Sequence, residues 1–319
     1  MNYRTLGRTG QVVSEIGFGS WAIGGLSYGT TRDEESLGAL ETAWEHGVTF
    51  FDTADTYGEG HSEELIGRFL KGKRDRAFIA TKVGWDFYHG GTRRNFSSDY
   101  TRFACDQSLK RLETDRIDLY QLHNPKLEQI EAGELFDVLD ELKAAGKIRF
   151  YGVSVHTPRE ALAVIRSGKA DTVQLIFNLI DQRPVAEVFP EAEAKKVGVI
   201  AREPLACGLL TGKYTAESRF PKNDHRNRWP KEKLEADLEK VERLKSALSQ
   251  PRASLVQPTL EFILSFKTVS VVIPGVKTKA QLLEQVKASE APELTPEELS
   301  ALRSLYEEEA IFQTGFYRN

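Results

Sequence analysis

VTFFDTADTYGEGHSEELIGRFLKG, residues 48–72, begins as a β-branched and aromatic run and turns polar at Asp52. It crosses a turn rich in Gly, Asp and Thr, then resumes as a helix. Packing gives no reason to end a core strand with two aspartates and a tyrosine at its mouth. The strand–helix step is also not unique to this stretch. EIGFGSWAIG reads as a short strand, and RDEESLGALETAWEHG as a helix striped by Leu37, Leu40, Ala43 and Trp44 and stopped by Gly47. AFIATKVG, IDLYQLHNP, IRFYGVSVH, ADTVQLIFN, VGVIAREPL and VSVVIPGV read as further strands, most followed by one helical segment. The helix DYTRFACDQSLKRLE is expected to be capped by Ser98 or Asp99, and PREALAVIRSG to open at Pro158.

Eight such units imply a parallel sheet covered on both faces, and at this length a closed (β/α)8 TIM barrel. A doubly wound open sheet is the rival. GFGSWAIGG has glycines but no G-x-G-x-x-G running into a helix, so the dinucleotide fingerprint of that fold is missing. YRTLGRTGQVVSEIG reads as an N-terminal β-hairpin turning at GRTG and plugging the barrel bottom. No linker or low-complexity tract interrupts the chain. Residues 1–319 are therefore expected to form a single barrel domain with a C-terminal helix and tail.

The 47 acidic and 43 basic side chains nearly cancel and no basic stripe appears, which argues against a nucleic-acid partner. Two cysteines, Cys105 and Cys207, make no disulfide framework and suit a reducing compartment. The first residues lack the apolar core of a signal peptide, and no run is long enough to span a membrane. A cytoplasmic monomer with no membrane partner is the expectation.

In (β/α)8 barrels chemistry gathers where the strands end. Asp52 ends the second strand, Tyr57 lies in its loop, Lys82 ends the third and His123 the fourth. Each alone has an ordinary role: a turn former, a packed ring, a paired rim charge, a hydrogen-bonded histidine. Together they point a carboxylate, a phenol, an amine and an imidazole at one rim. A free phenol has a pKa of about 10. A neighbouring ammonium favours its ionised form, and a carboxylate keeps that ammonium charged. The set suits protonation of an oxygen that gains negative charge, such as a carbonyl receiving hydride.

At these residues the chain resembles the aldo-keto reductases, in the branch of bacterial reductases and potassium-channel β-subunits. FDTADTYGEGHSEELIG follows the family signature D-T-A-x-x-Y-G-x-G-x-S-E-x-x-I-G, and IATKVG and LYQLHNP follow in order. The resemblance runs from the hairpin to VIPGVKTKAQLLEQ. It implies a barrel that binds NADPH/NADP+ without a Rossmann domain and reduces a small carbonyl substrate. It implies Tyr57 as general acid, Lys82 tuning it, Asp52 holding Lys82 and His123 orienting the carbonyl. Ser154 and Gln174 match positions that hold the nicotinamide amide, with Val155 where the family often has Asn. Arg202 replaces a stacking aromatic. Ser20, Trp21, Pro204, Leu205 and Gly208 are further expected cofactor contacts. GLLTGKY matches a pyrophosphate loop through Leu209, Gly212 and Lys213. IPGVKTKAQLLEQ matches an adenosine-phosphate site through Gly275, Lys277, Gln281, Glu284 and Gln285.

Substrate choice is less determined. Trp21, Trp85, Phe87 and Tyr88 fall in rim loops, Trp229 in the long segment after the seventh strand, and Phe312, Phe316 and Tyr317 in the tail. Any of them can wall an apolar pocket or simply pack. Arg226 or Arg228 in that long segment is a second candidate for a phosphate. Two other functions stay open: a Schiff-base aldolase-like barrel using Lys82, which borohydride trapping would detect, and an NADPH-binding redox sensor with slow turnover, which a carbonyl panel would separate.

Overall fold

The computed structural model describes residues 1–249, 254–290 and 294–313. Eight parallel strands follow one another in space as in sequence. They are β1 (Phe18–Gly19), β2 (Phe50–Asp52), β3 (Phe78–Val83), β4 (Ile117–His123), β5 (Ile148–Ser154), β6 (Thr172–Ile176), β7 (Gly198–Arg202) and β8 (Val269–Val272). The sheet closes on itself. Ile16 pairs with Val272 and Gly19 with Gly275, both parallel. Gly17 N donates to Val272 O at 2.8 Å, and Gly19 N to Pro274 O at 3.0 Å.

Strand side chains alternate between two cores. Phe50, Phe78, Ala80, Leu119, Ile200, Val271 and Ile273 fill the barrel interior. Phe51, Ile79, Tyr120, Val153, Val173, Val199 and Val272 face the surrounding helices. This two-sided burial is why the strands read as nearly continuous apolar runs. The period of two also fixes what stands above the interior core. Asp52 follows Phe50 on the inward face, Lys82 follows Phe78 and Ala80, and Gln121 and His123 follow Leu119. The interior is apolar below and polar above.

The hairpin closes the bottom. Tyr3–Thr5 pairs with Val12–Ser14, and Leu6 at the turn is fully buried among the interior side chains. Gly7 has φ +46°, and a Cβ there would lie 2.2 Å from Gly198 N.

Several local readings shift. The helix after β3 is Ser98–Arg111, and its cap is Ser97, whose side chain accepts from Tyr100 N; Ser98 and Asp99 lie inside its first turn. Only Phe18–Gly19 of EIGFGSWAIG is strand, and Trp21–Gly24 forms a 3₁₀ turn. A short helix, Leu127–Ala132, precedes the helix Asp137–Ala144 after β4. Pro158 does open its helix, with Thr157 and Glu160 in a reciprocal capping box. The C-terminal helix Pro296–Glu308 carries the same device through Thr295 and Glu298. Phe312 is buried beside Tyr306 rather than lining a pocket; Phe316 and Tyr317 lie outside the described residues. No helix among the described residues is long and apolar enough to cross a membrane.

Because the atoms facing Gly7 are backbone of Gly198, they cannot swing aside. Gly7→Ala is expected to destabilise the fold by roughly 2–3 kcal/mol, read as a shift in urea midpoint. An unchanged midpoint would remove the close-packed floor from the account.

Candidate active site

Three strands bring the polar set together. Lys82 Nζ donates to Asp52 Oδ1 at 2.5 Å, to Thr53 O at 2.8 Å and to Tyr57 Oη at 3.2 Å. The far side of the Asp52 carboxylate is also used. Its Oδ2 accepts from Gln174 Nε2 at 2.8 Å and Gln121 Nε2 at 3.3 Å. Burial pulls the Lys82 pKa down, but the Asp52 carboxylate and then Tyr57 outweigh it, and the ammonium titrates above its ordinary value. The lysine is held charged.

Tyr57 behaves differently from the sequence expectation in one respect. Lys82 does act to lower its pKa, but enclosure of the ring raises it more, so the phenol sits above its ordinary value. It is a neutral donor at neutral pH. His123 meets the Tyr57 ring edge to face at 5.9 Å between centroids. Burial, followed by the Lys82 charge, drives its pKa well below the usual histidine value, so the imidazole is neutral. Its buried Nδ1 has no partner.

The glycines of the opening stretch hold the Tyr57 turn in place. Gly58 has φ +66°, and a Cβ there would sit 2.2 Å from Gly24 O, so the turn rests directly on the 3₁₀ turn after β1. The second aspartate, Asp55, is fully buried with neither carboxylate oxygen paired. Burial and then Glu63 push its pKa far up, which leaves it uncharged. It does not compete with Asp52 for the lysine.

The site opens into a cleft of about 700 Å³ that reaches from Asp52, Tyr57 and His123 to the loop after β8. Ser20, Trp21, Ser154, Gln174, Arg202, Pro204, Leu205, Gly208, Lys213, Gly275, Lys277, Gln281, Glu284 and Gln285 line it. Leu209 and Gly212 do not. Leu209 is buried in the outer core, and Gly212 is the left-handed residue that ends the 3₁₀ segment; its neighbours Thr211 and Lys213 line the cleft. Ser154 Oγ reaches Asn124 Oδ1 at 3.2 Å, so a carboxamide from the β4 loop stands beside the serine although residue 155 is a buried valine.

Arg202 forms an ion pair with Glu203 and donates to Val155 O and His156 Nδ1, both at 3.0 Å. It lines the cleft wall, and among the described residues its buried Nε has no partner. Lys277 Nζ donates to Tyr28 O, and Gln281 Oε1 accepts from Lys277 N at 2.8 Å. Gln285 Oε1 is likewise buried with no partner among the described residues. Arg226 is committed elsewhere: to Asp224 through two bonds of 2.9 and 2.6 Å, to Cys207 O at 2.9 Å and to Tyr214 Oη at 2.7 Å.

The segment carrying Arg226 bridges the cleft. Asp224 pairs with Tyr28, His225 N donates to Ser27 O at 2.9 Å, and the His225 ring stacks on Trp21 at 4.9 Å. Trp21 in turn stacks on Tyr57 at 6.0 Å. Of the rim aromatics, Trp21 and Trp85 line the cleft. Phe87 and Tyr88 stack on each other, with Tyr88 edge-on to Phe103, and Trp229 packs on Phe220 and His225. Sequence reasoning missed Gln121 and Asn124. The available signal was position: one is two residues before His123 on its inward face, the other directly follows the same strand.

The model of the family described as "Aldo/keto reductase family" matches residues 15–307. Aldo-keto reductase YhdN of Bacillus subtilis is 35% identical over 289 residues, spanning 88% of this chain and 87% of that protein. A Schizosaccharomyces pombe protein named aldo-keto reductase yakc, NADP(+), is 34% identical over 295 residues, spanning 88% and 86%. The solved holo structure of aldo-keto reductase AKR11C1 from Bacillus halodurans superimposes with a TM-score of 0.79 at 31% identity, covering 96% of each chain.

The depressed His123 pKa has a consequence for stability. The unfolded chain takes up a proton near pH 6.5 that the native imidazole refuses. The stabilisation is complete above that pH and is lost as pH falls below it. Denaturant midpoints measured downward from pH 7.5 are expected to fall more steeply for the native chain than for His123→Gln. Parallel curves would show that the imidazole is not held neutral.

Proposed function

Since the chain belongs to the aldo/keto reductase family, we propose that it reduces aldehydes or ketones to alcohols, with NADPH as hydride donor and Tyr57 as general acid. The observation that carries this reading is the Lys82 ammonium lying between Asp52 and the Tyr57 hydroxyl. A bound reduced nicotinamide supplies the hydride to the carbonyl carbon. Tyr57 gives its proton to the carbonyl oxygen as negative charge builds there. Lys82 then faces the phenolate left behind and stabilises it, while Asp52 keeps the ammonium in place. Neutral His123 offers an N–H to the same oxygen. Trp21 and the strap that carries His225 limit water around the ring.

The cleft suits a dinucleotide. Unpaired buried atoms, Arg202 Nε and Gln285 Oε1, lie on its two halves. Ser154, Asn124 and Gln174 are the polar groups for a carboxamide, and the Arg202 plane offers a stacking face. Lys213 and Lys277 stand at the phosphate end, and Lys277 precedes the helix Lys279–Glu290, whose N-terminus favours an anion. No acidic residue lies between Ile273 and Leu283, and the fission-yeast relative carries NADP(+) in its name. With Arg226 already paired, Lys277 is the proposed partner of the 2′-phosphate. A charged Lys82 is unsuited to attack as a Schiff-base amine, which weighs against an aldolase.

Tyr57→Phe is expected to keep NADPH binding and to lose reduction by about 10²–10⁴-fold. Near-normal turnover in an assay following NADPH absorbance would take Tyr57 out of the role. Lys277→Glu places a negative charge where the phosphate is proposed to lie. It is expected to weaken NADPH at least about tenfold more than NADH in fluorescence titrations. Equal losses for both cofactors would place the phosphate elsewhere.

A further inference from the structure

At the Tyr57 end the cleft is walled by loops after β3, β4 and β5, through Trp85, Thr92, His123, Asn124 and His156. The first of these loops is built as a small antiparallel ribbon, Trp85–Asp86 against Arg93–Arg94, with Trp85 opposite Arg94. Its rigidity comes from Asp86, whose fully buried carboxylate accepts from Tyr88 N at 3.2 Å, His89 Nδ1 at 2.9 Å and Asn95 Nδ2 at 3.3 Å. Tyr100 Oη anchors the same strand by donating to Trp85 O at 2.9 Å.

Arg94 has no carboxylate partner among the described residues. Its guanidinium lies over the Trp85 ring, 5.1 Å from the centroid. The neighbouring cations differ from it. Arg93 reaches Asp86 at 3.5 Å, and Arg202 is paired with Glu203. His123 and His156 are both held neutral, first by desolvation and then by surrounding positive charge to which Arg94 contributes. An exposed guanidinium with no carboxylate partner among the described residues thus lies over a ring that lines the cleft at its Tyr57 end.

We propose that the substrate is a carbonyl compound bearing a carboxylate, with Arg94 receiving the carboxylate while the carbonyl meets Tyr57 and His123. The inference rests on the carbonyl-reductase reading and adds a substrate class to it. A guanidinium fork matches the two oxygens of a carboxylate. Its contact with the Trp85 ring favours a position at the cleft edge before the substrate arrives, so less freedom is lost on binding. The Trp85 face that lines the cleft supplies an apolar wall for the carbon skeleton between the two ends.

The test uses para-carboxybenzaldehyde and its methyl ester, which share a skeleton and differ in charge. The native enzyme is expected to show the higher kcat/KM for the acid. Arg94→Gln is expected to lower the acid-to-ester ratio roughly tenfold, mainly through KM, and Arg94→Lys to restore part of it. High salt should shrink the native ratio in the same direction. A native preference for the ester, or a ratio unmoved by Arg94→Gln, overturns the assignment. If neither aldehyde is reduced, carbonyl reduction itself fails. Quenching of tryptophan fluorescence by benzoate then decides the anion site separately: weaker binding to Arg94→Gln sustains it, and equal affinity overturns it.

Discussion

The buried ion pair between Lys82 and Asp52 constrains everything around it. Both side chains are nearly out of water, at 1% and 3% exposure. Taking two charges out of solvent costs several kcal/mol each, and Coulomb attraction repays that only when the remaining hydrogen-bonding capacity is also satisfied. The barrel meets this condition with groups from four places. Thr53 O and Tyr57 Oη complete the ammonium, and Gln121 and Gln174 complete the carboxylate. Tyr57, the proposed acid, is therefore also part of what satisfies a buried charge. Its position is specified by electrostatics as much as by packing.

That pair also explains the division of the barrel interior. An apolar layer of Phe50, Phe78, Leu119 and Ile200 lies beneath the polar one, so water has no route to the charges from below. Asp55 stays neutral and Glu63 is occupied by Arg111 at 2.7 Å and by Thr81. The opening stretch thus places several carboxyl groups near one lysine while leaving a single carboxylate to hold it.

Much of this was legible in the sequence, because strand periodicity is a local property. Once the strands were read, Asp52, Lys82 and His123 fell at the ends of neighbouring strands, and the signature around Tyr57 carried the rest. What was not legible depends on atoms brought from far along the chain. Gln174 was expected to face only a nicotinamide amide, yet it also supports Asp52 from across the barrel. Arg202 is oriented by its neighbour Glu203 and by two contacts from the loop after β5. Leu209 lay in the expected motif but turns into the core, since sequence does not say which way a residue of an irregular segment points. The misplaced cap at Ser98 has a smaller cause: Ser97 and Ser98 offer the same hydroxyl, and only backbone geometry chooses between them.

The closure of the sheet has a bearing on how the chain becomes a protein. Ile16 pairs with Val272, and Arg4 donates to the carbonyls of Leu264, Phe266 and Val269 at 2.6, 3.2 and 3.0 Å. These contacts join distant parts of the sequence and cannot form until β8 has been synthesised. Until β8 arrives, β1 and β7 remain unpaired edges of an open sheet, the kind of surface that invites pairing with another molecule. The eighth unit therefore both completes one end of the cleft and removes the open edges of the sheet. In this barrel, completion of the cleft and escape from misassembly fall at the same step.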